Sequence, residues 1–162
     1  MISAIANGGK LFLPQVVEGV ENLYGKRLKD YPPVEVGRVQ VSEKNLRIVQ
    51  DALMGAVNES NGTGGSSALK GIRVAGKTGT AQVVKMAQDF KKGDMERMAM
   101  RFRDHAWFVA FAPYEEPQIA VAVLVENGGF GAAAAAPIAK KVIGKYLKVD
   151  APPTQTVNEA TD

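Results

Sequence analysis

The sequence predicts an α+β domain, and three observations point there. A helical segment spans 42–58. Three segments of strand character follow over 71–84, 106–112 and Ile119–Val125. A second helical segment runs from the glycine cluster at 128–131 to about 149. Strands and helices grouped in this way mark the class.

The 162 residues suit one domain, or part of a larger one. Hydrophobic residues at 46% and charged residues at 23% exclude general disorder. With no Cys, disulfides, thiolate chemistry and Cys-ligated zinc are excluded. A single His, His105, excludes a multi-His metal site, and no cofactor or metal is expected. The net charge of +3 is spread along the chain, without aromatic interleaving, so no nucleic-acid partner is expected. No apolar run approaches the roughly 18 residues of a membrane helix. No basic leader opens the chain, which taken alone reads as cytoplasmic.

Residues 1–6 read as the end of a helix, stopped by Asn7-Gly8-Gly9. Six residues cannot sustain a helix alone, so the chain is expected to start inside an element. Residues 10–41 are broken by Pro14, Gly19, Gly25, Pro32, Pro33 and Gly37 and predict short strands, with a hairpin tip at 22–26. Over 42–58, Ser42 can cap a helix, Glu43 suits its positive end, and Leu46, Val49, Leu53, Ala56 and Val57 share one face. A Gly/Ser loop follows at 61–67.

Residues 71–84 are rich in β-branched side chains and predict a strand. Residues 85–104 are charged and Met-rich and predict a short amphipathic helix. There Met86, Met95, Met98 and Met100 read as adaptable packing, with a partner surface as the other reading. Ile119–Val125 is apolar on both faces and predicts a central strand. Ala120 and Ala122, on one face with Leu124, would admit a close helix. In the last helix Pro137 suits a first turn, and Ile138, Ala139, Val142, Ile143, Tyr146 and Leu147 form a broad apolar face. Its lysines read as a solvated face and Ala132–Ala136 as packing. The tail 150–162 is expected to be disordered.

Three short motifs carry candidate chemistry. Gly71 to Thr78 fits the G-x-x-x-x-G-K-[ST] phosphate loop, with an acid, Glu126, ending a later apolar strand. That loop must follow a buried strand and open a helix. Here a Gly/Ser loop precedes it, and Gly79 with β-branched neighbours follows. Nucleotide binding is therefore the minor alternative. Ser67-Ala68-Leu69-Lys70 fits S-x-x-K, which needs a helix to bring the amine to the hydroxyl. Gly64, Gly65 and Gly71 deny it one, so the match reads as coincidence. The third motif is Lys77-Thr78-Gly79-Thr80. On a strand, Lys77 and Gly79 would face one side and Thr78 and Thr80 the other. Gly79 lets a ligand backbone lie close. Hydroxyls and an ammonium suit a carboxylate. This is the K-T-G pattern of serine acyl-transferases.

Around it stand Val74 to Gln82, then Asp104-His105-Ala106-Trp107-Phe108, Phe111-Ala112-Pro113, Val123 to Gly129 and Ala135 to Ala139, with Ala4 to Gly9 and Pro14 upstream. In this order and spacing the chain resembles the C-terminal part of class B, elongation-type peptidoglycan D,D-transpeptidases, the penicillin-binding protein 2 family. The resemblance covers residues 1–149. Family members carry S-x-x-K and S-x-N motifs ahead of K-T-G, and neither precedes it here. The resemblance therefore implies the last part of a transpeptidase domain without its nucleophile, inactive alone.

The implied fold is the penicillin-binding and serine β-lactamase-like one. It has a five-stranded antiparallel sheet, three strands of which fall in this chain, packed with helices. The K-T-G strand would lie at one edge and Ile119–Val125 would present an unprotected apolar edge, a template for a homodimer. The implied roles are positive charge and proton relay for Lys77, carboxylate binding for Thr78 and Thr80, close approach at Gly79, and an oxyanion-hole N–H from Thr80. His105 would be structural. The implied partners are the peptidoglycan stem peptide, β-lactams, the N-terminal part of the same protein, and the wall-elongation machinery with its membrane glycan polymerase. The implied location is the periplasmic face of a bacterial inner membrane. A non-catalytic module binding a peptide carboxylate is the other alternative.

Overall fold

The computed structural model describes residues 1–84 and 99–149. The expected helix over 85–104 therefore falls mostly outside the described residues, with Met86, Met95 and Met98, as does the tail 150–162. Met100 lies in a short turn of 3₁₀ helix, Met100–Phe102, and is exposed.

Three antiparallel strands form the principal sheet: β5 (Ala75–Ala81), β6 (His105–Ala112) and β7 (Ile119–Val125), in that spatial order. β5 is shorter than the 71–84 expectation. Gly71 has φ +80°, which a glycine adopts without strain, and turns the chain between the bridged residues Leu69 and Ile72. β6 is the middle strand, and its period-two burial divides the two faces. Ala106, Phe108, Ala110 and Ala112 face the last helix, α3 (Gly131–Tyr146), and join Ala135, Ala136, Ala139 and Ile143 in the core. Alanines on both surfaces let helix and sheet approach closely.

Two sequence expectations change here. β7 stands at the end of the strand order and is not central among the described strands. Its Ala120, Ala122 and Leu124 face away from α3 and are exposed, whereas Val121, Val123 and Val125 pack against the core. The small residues thus do not receive the last helix. α3 begins at Gly131, so Pro137 falls in the second turn. Its buried ridge is Ala135, Ala139 and Ile143, while Ile138, Val142 and Tyr146 form an exposed stripe.

α2 (Glu43–Asn58) begins as expected, with the Ser42 hydroxyl accepting from the Asn45 N–H at 3.3 Å. It lies along β5, and its buried side centres on Gly55 and Val57; Val49 remains exposed. α1 (Ile2–Ala6) touches β6, β7 and α2, and Gly8 and Gly9 follow it with φ of +81° and +93°. Phe111, fully buried, alternates to the sheet face opposite α3.

Residues 10–38 form two small antiparallel ribbons. β1 (Lys10–Phe12) pairs with β4 (Glu35–Arg38), and β2 (Gly19–Glu21) pairs with β3 (Arg27–Asp30) around the expected 22–26 tip. Arg27 binds Glu21 at 2.8 Å across that ribbon and Asp30 at 2.6 Å along its own strand. The Arg73–Glu115 ion pair and the Tyr114–Asp51 hydrogen bond tie the start of β5, the β6–β7 turn and α2 together. The Glu115 carboxyl lies below its ordinary range, chiefly through its own backbone N–H and then through Arg73.

Candidate active site

The site is built along the free edge of β5. Within an antiparallel ladder, backbone groups point alternately toward and away from the neighbouring strand. The Arg73 carbonyl accepts from the Tyr114 N–H at 2.8 Å, on the β6 side. Stepping by two, residues 75, 77, 79 and 81 address β6, and residues 74, 76, 78 and 80 address the outside. Two side chains confirm the alternation from without. Asn58 Nδ2 donates to the Val74 carbonyl at 2.7 Å, and Lys77 Nζ donates to the Thr78 carbonyl at 2.8 Å. The Thr80 N–H therefore projects from the open edge.

The side chains alternate as the sequence predicts. Lys77 and Gly79 pair in register with Val109 and Trp107, on the face opposite α3. Thr78 and Thr80 pair with Phe108 and Ala106, on the α3 face. Lys77 is exposed, and its ammonium curls back over the strand edge, reaching Thr78 Oγ1 at 3.4 Å. Lys77, the Thr78 and Thr80 hydroxyls and the outward N–H groups of the same two threonines thus gather on a single short edge. Such a set can hold an anion and polarise an oxygen beside it.

The glycines of this strand are spaces that neighbours fill. A Cβ on Gly76 would lie 2.7 Å from Phe108 Cζ. One on Gly131, at the start of α3, would lie 2.2 Å from the Trp107 carbonyl oxygen and 2.6 Å from that of Gly79. The strand is thereby pressed between α2, its following loop and the first turn of α3. Ser66 Oγ donates to the Ala132 carbonyl at 2.6 Å and joins that loop to α3.

The other candidates fall elsewhere. Lys77 and Thr78 sit mid-strand with no helix opening after them, so residues 71–78 do not form a phosphate cradle. Ser67 is fully buried in a 3₁₀ turn, Gly65–Ser67, and its hydroxyl donates to the Gly64 carbonyl at 2.8 Å. It faces neither Lys70 on a helix nor solvent. His105 opens β6, and its Nδ1 accepts from the Asn127 N–H at 2.9 Å. Among the described residues, no group of acids and histidine could hold a metal ion.

Two residues at the site escape sequence reasoning. Asn58 is the last residue of α2 and holds the Val74 carbonyl, just ahead of β5, from outside. Thr63 lies in the Gly/Ser loop, with its hydroxyl 3.2 Å from that of Thr78. Only its place between two glycines hinted at a shaped loop.

Residues 1–144 match the family described as the penicillin-binding protein transpeptidase domain. Peptidoglycan D,D-transpeptidase MrdA from Haemophilus influenzae is 35% identical over 158 residues, covering 95% of this chain and 24% of that protein. The D,D-transpeptidase domain of a peptidoglycan glycosyltransferase from Eggerthella lenta superimposes with a TM-score of 0.68 at 33% identity, over 91% of this chain and 30% of that one. Penicillin-binding protein A from Mycobacterium tuberculosis, solved as a ceftriaxone acyl-enzyme complex, gives a TM-score of 0.68 at 31% identity, over 88% of this chain and 29% of that one. The chain belongs to the penicillin-binding protein transpeptidase family. It spans about a quarter of the length of the MrdA relative.

Proposed function

We propose that this chain forms the K-T-G-T wall of a peptidoglycan D,D-transpeptidase. The parent enzyme cross-links the cell wall by acyl transfer through a serine ester, with the nucleophile on residues outside these 162. The observation that supports this most directly is the outward Thr80 N–H beside the hydroxyls of Thr78 and Thr80 and the Lys77 ammonium. The terminal carboxylate of a stem peptide, or of a β-lactam, binds the two hydroxyls. Gly79 leaves room for its backbone. The Thr80 N–H is one of two donors to the oxyanion that forms when serine attacks the carbonyl. A donor of that kind is worth about 3–4 kcal/mol in the transition state. Lys77 adds positive charge and relays protons between the absent serine groups and the substrate.

The parent works at the periplasmic face of the inner membrane, with the wall-elongation machinery and its glycan polymerase. The name of the MrdA relative, a peptidoglycan D,D-transpeptidase, and the acyl-enzyme complex of the mycobacterial relative support the acyl-transfer part of this reading.

The test pairs two measurements on the 162-residue chain. Titration with acetyl-D-alanyl-D-alanine is expected to shift the amide signals of Thr78 and Thr80. A fluorescent penicillin is expected to leave the chain unlabelled. Covalent labelling would show that the chain carries its own nucleophile and would redirect attention to Ser67. ATP–Mg²⁺ raising the melting temperature would favour the nucleotide alternative.

The β7 edge is a second contact surface in this proposal. Its outer row of backbone groups and apolar side chains suits strand pairing with a second copy. Sedimentation at about tens of micromolar is expected to show dimers, and a strictly monomeric chain would remove the pairing.

A further inference from the structure

Thr63 stands where a loop residue would be placed to control Thr78. Its loop is anchored by its backbone. The Gly62 N–H donates to the Glu59 carbonyl at 3.0 Å and the Gly64 N–H to the Ala56 carbonyl at 2.8 Å. Gly62 has no room for a side chain and Gly64 little: a Cβ on Gly62 would lie 2.4 Å from the Ala56 oxygen, and one on Gly64 3.1 Å from it. The Ser67 hydroxyl holds the Gly64 carbonyl from the other side at 2.8 Å. Thr63 is therefore exposed on a seated backbone, with Oγ1 3.2 Å from Thr78 Oγ1.

Proton counting gives this contact a direction. A threonine hydroxyl has one proton to donate and lone pairs to accept with, an ammonium only donates, and a carboxylate only accepts. Lys77 Nζ approaches Thr78 Oγ1 as a donor, at a long 3.4 Å. Before a ligand binds, either threonine can donate to the other. A carboxylate arriving at Thr78 must receive the Thr78 proton. Thr63 then has to donate to Thr78 Oγ1, so that the Thr78 O–H points outward to the anion.

We propose that Thr63 is a positioning residue of the carboxylate site, setting the direction of the Thr78 hydroxyl for an anionic peptide terminus. The inference rests on the reading of Thr78 and Thr80 as that site. It predicts that Thr63 matters for a carboxylate and not for its neutral analogue, which can itself donate to a threonine oxygen.

The experiment titrates the chain, followed by amide signals of Thr78 and Thr80, with acetyl-D-alanyl-D-alanine and separately with its terminal carboxamide. Thr63→Val is expected to weaken the carboxylate ligand about three- to tenfold, the loss typical of one hydrogen bond. It should leave the carboxamide within about twofold, and Thr63→Ser should restore the carboxylate affinity. An unchanged amide signal for Asn127, on the far side of the sheet, checks that the variant folds. Equal weakening of both ligands, or of neither, overturns the positioning role while the site itself stands. A wild-type chain whose Thr78 and Thr80 signals do not move with either ligand overturns both.

Discussion

Gly131→Ala is expected to destabilise the chain by about 3 kcal/mol, although alanine is ordinarily the better helix former by about 1 kcal/mol. The added methyl would lie 2.2 Å from the Trp107 oxygen and 2.6 Å from the Gly79 oxygen. Both are main-chain atoms of paired strands, which cannot swing aside as the end of a long side chain can. Helix α3 must then lift from the sheet, or β5 must shift outward. The first movement removes the support behind Gly79, in the middle of K-T-G-T, and the second displaces it. Urea denaturation should show a lower midpoint with an unchanged slope, and the melting temperature should fall by roughly 6–12 °C. A variant as stable as the parent chain would mean that the helix is not seated on these two carbonyls.

Phe108→Ala should cost about 3–5 kcal/mol, through lost burial and the cavity left behind. Phe108 is fully buried in the middle strand, and its ring fills the space above Gly76 and lies 3.4 Å from where a Cβ on Gly64 would stand. Removing it hollows the support under both β5 and the loop that carries Thr63. Leu124→Ala is the control. Leu124 is 44% exposed on the opposite sheet face, so its loss should stay within about 1 kcal/mol. Similar losses at the two positions would show that the core does not centre on the α3 side.

Much of this arrangement is legible in the residues because its causes are local. Ser42 and the spacing from Leu46 to Val57 announce α2 without help from the rest of the chain. Lys77 to Thr80 announce an extended segment, since β-branched residues flank a glycine that a helix would reject. What failed depended on neighbours. Ile119–Val125 reads as central because apolar residues on both faces signal double burial, whereas here one face meets α3 and the other is exposed. The start of α3 is not legible, because nothing in the order of glycines reveals that Gly131 is wedged against two carbonyls. Thr63 is hidden for the same reason. A Gly/Ser loop looks pliable in sequence, and only the Ala56 carbonyl beside Gly62 and Gly64 shows that it is seated.

The outward amide of Thr80 belongs to the main chain, and nineteen of the genetically encoded residues would carry it equally well; only proline lacks it. A ligand that leans on that group grips something ordinary point mutation cannot delete. Loss of such a ligand through evolutionary change is then expected to come from substitutions that tilt or slide the strand, at Gly76, Gly131 or Phe108, more than from exchanges at Thr80 itself.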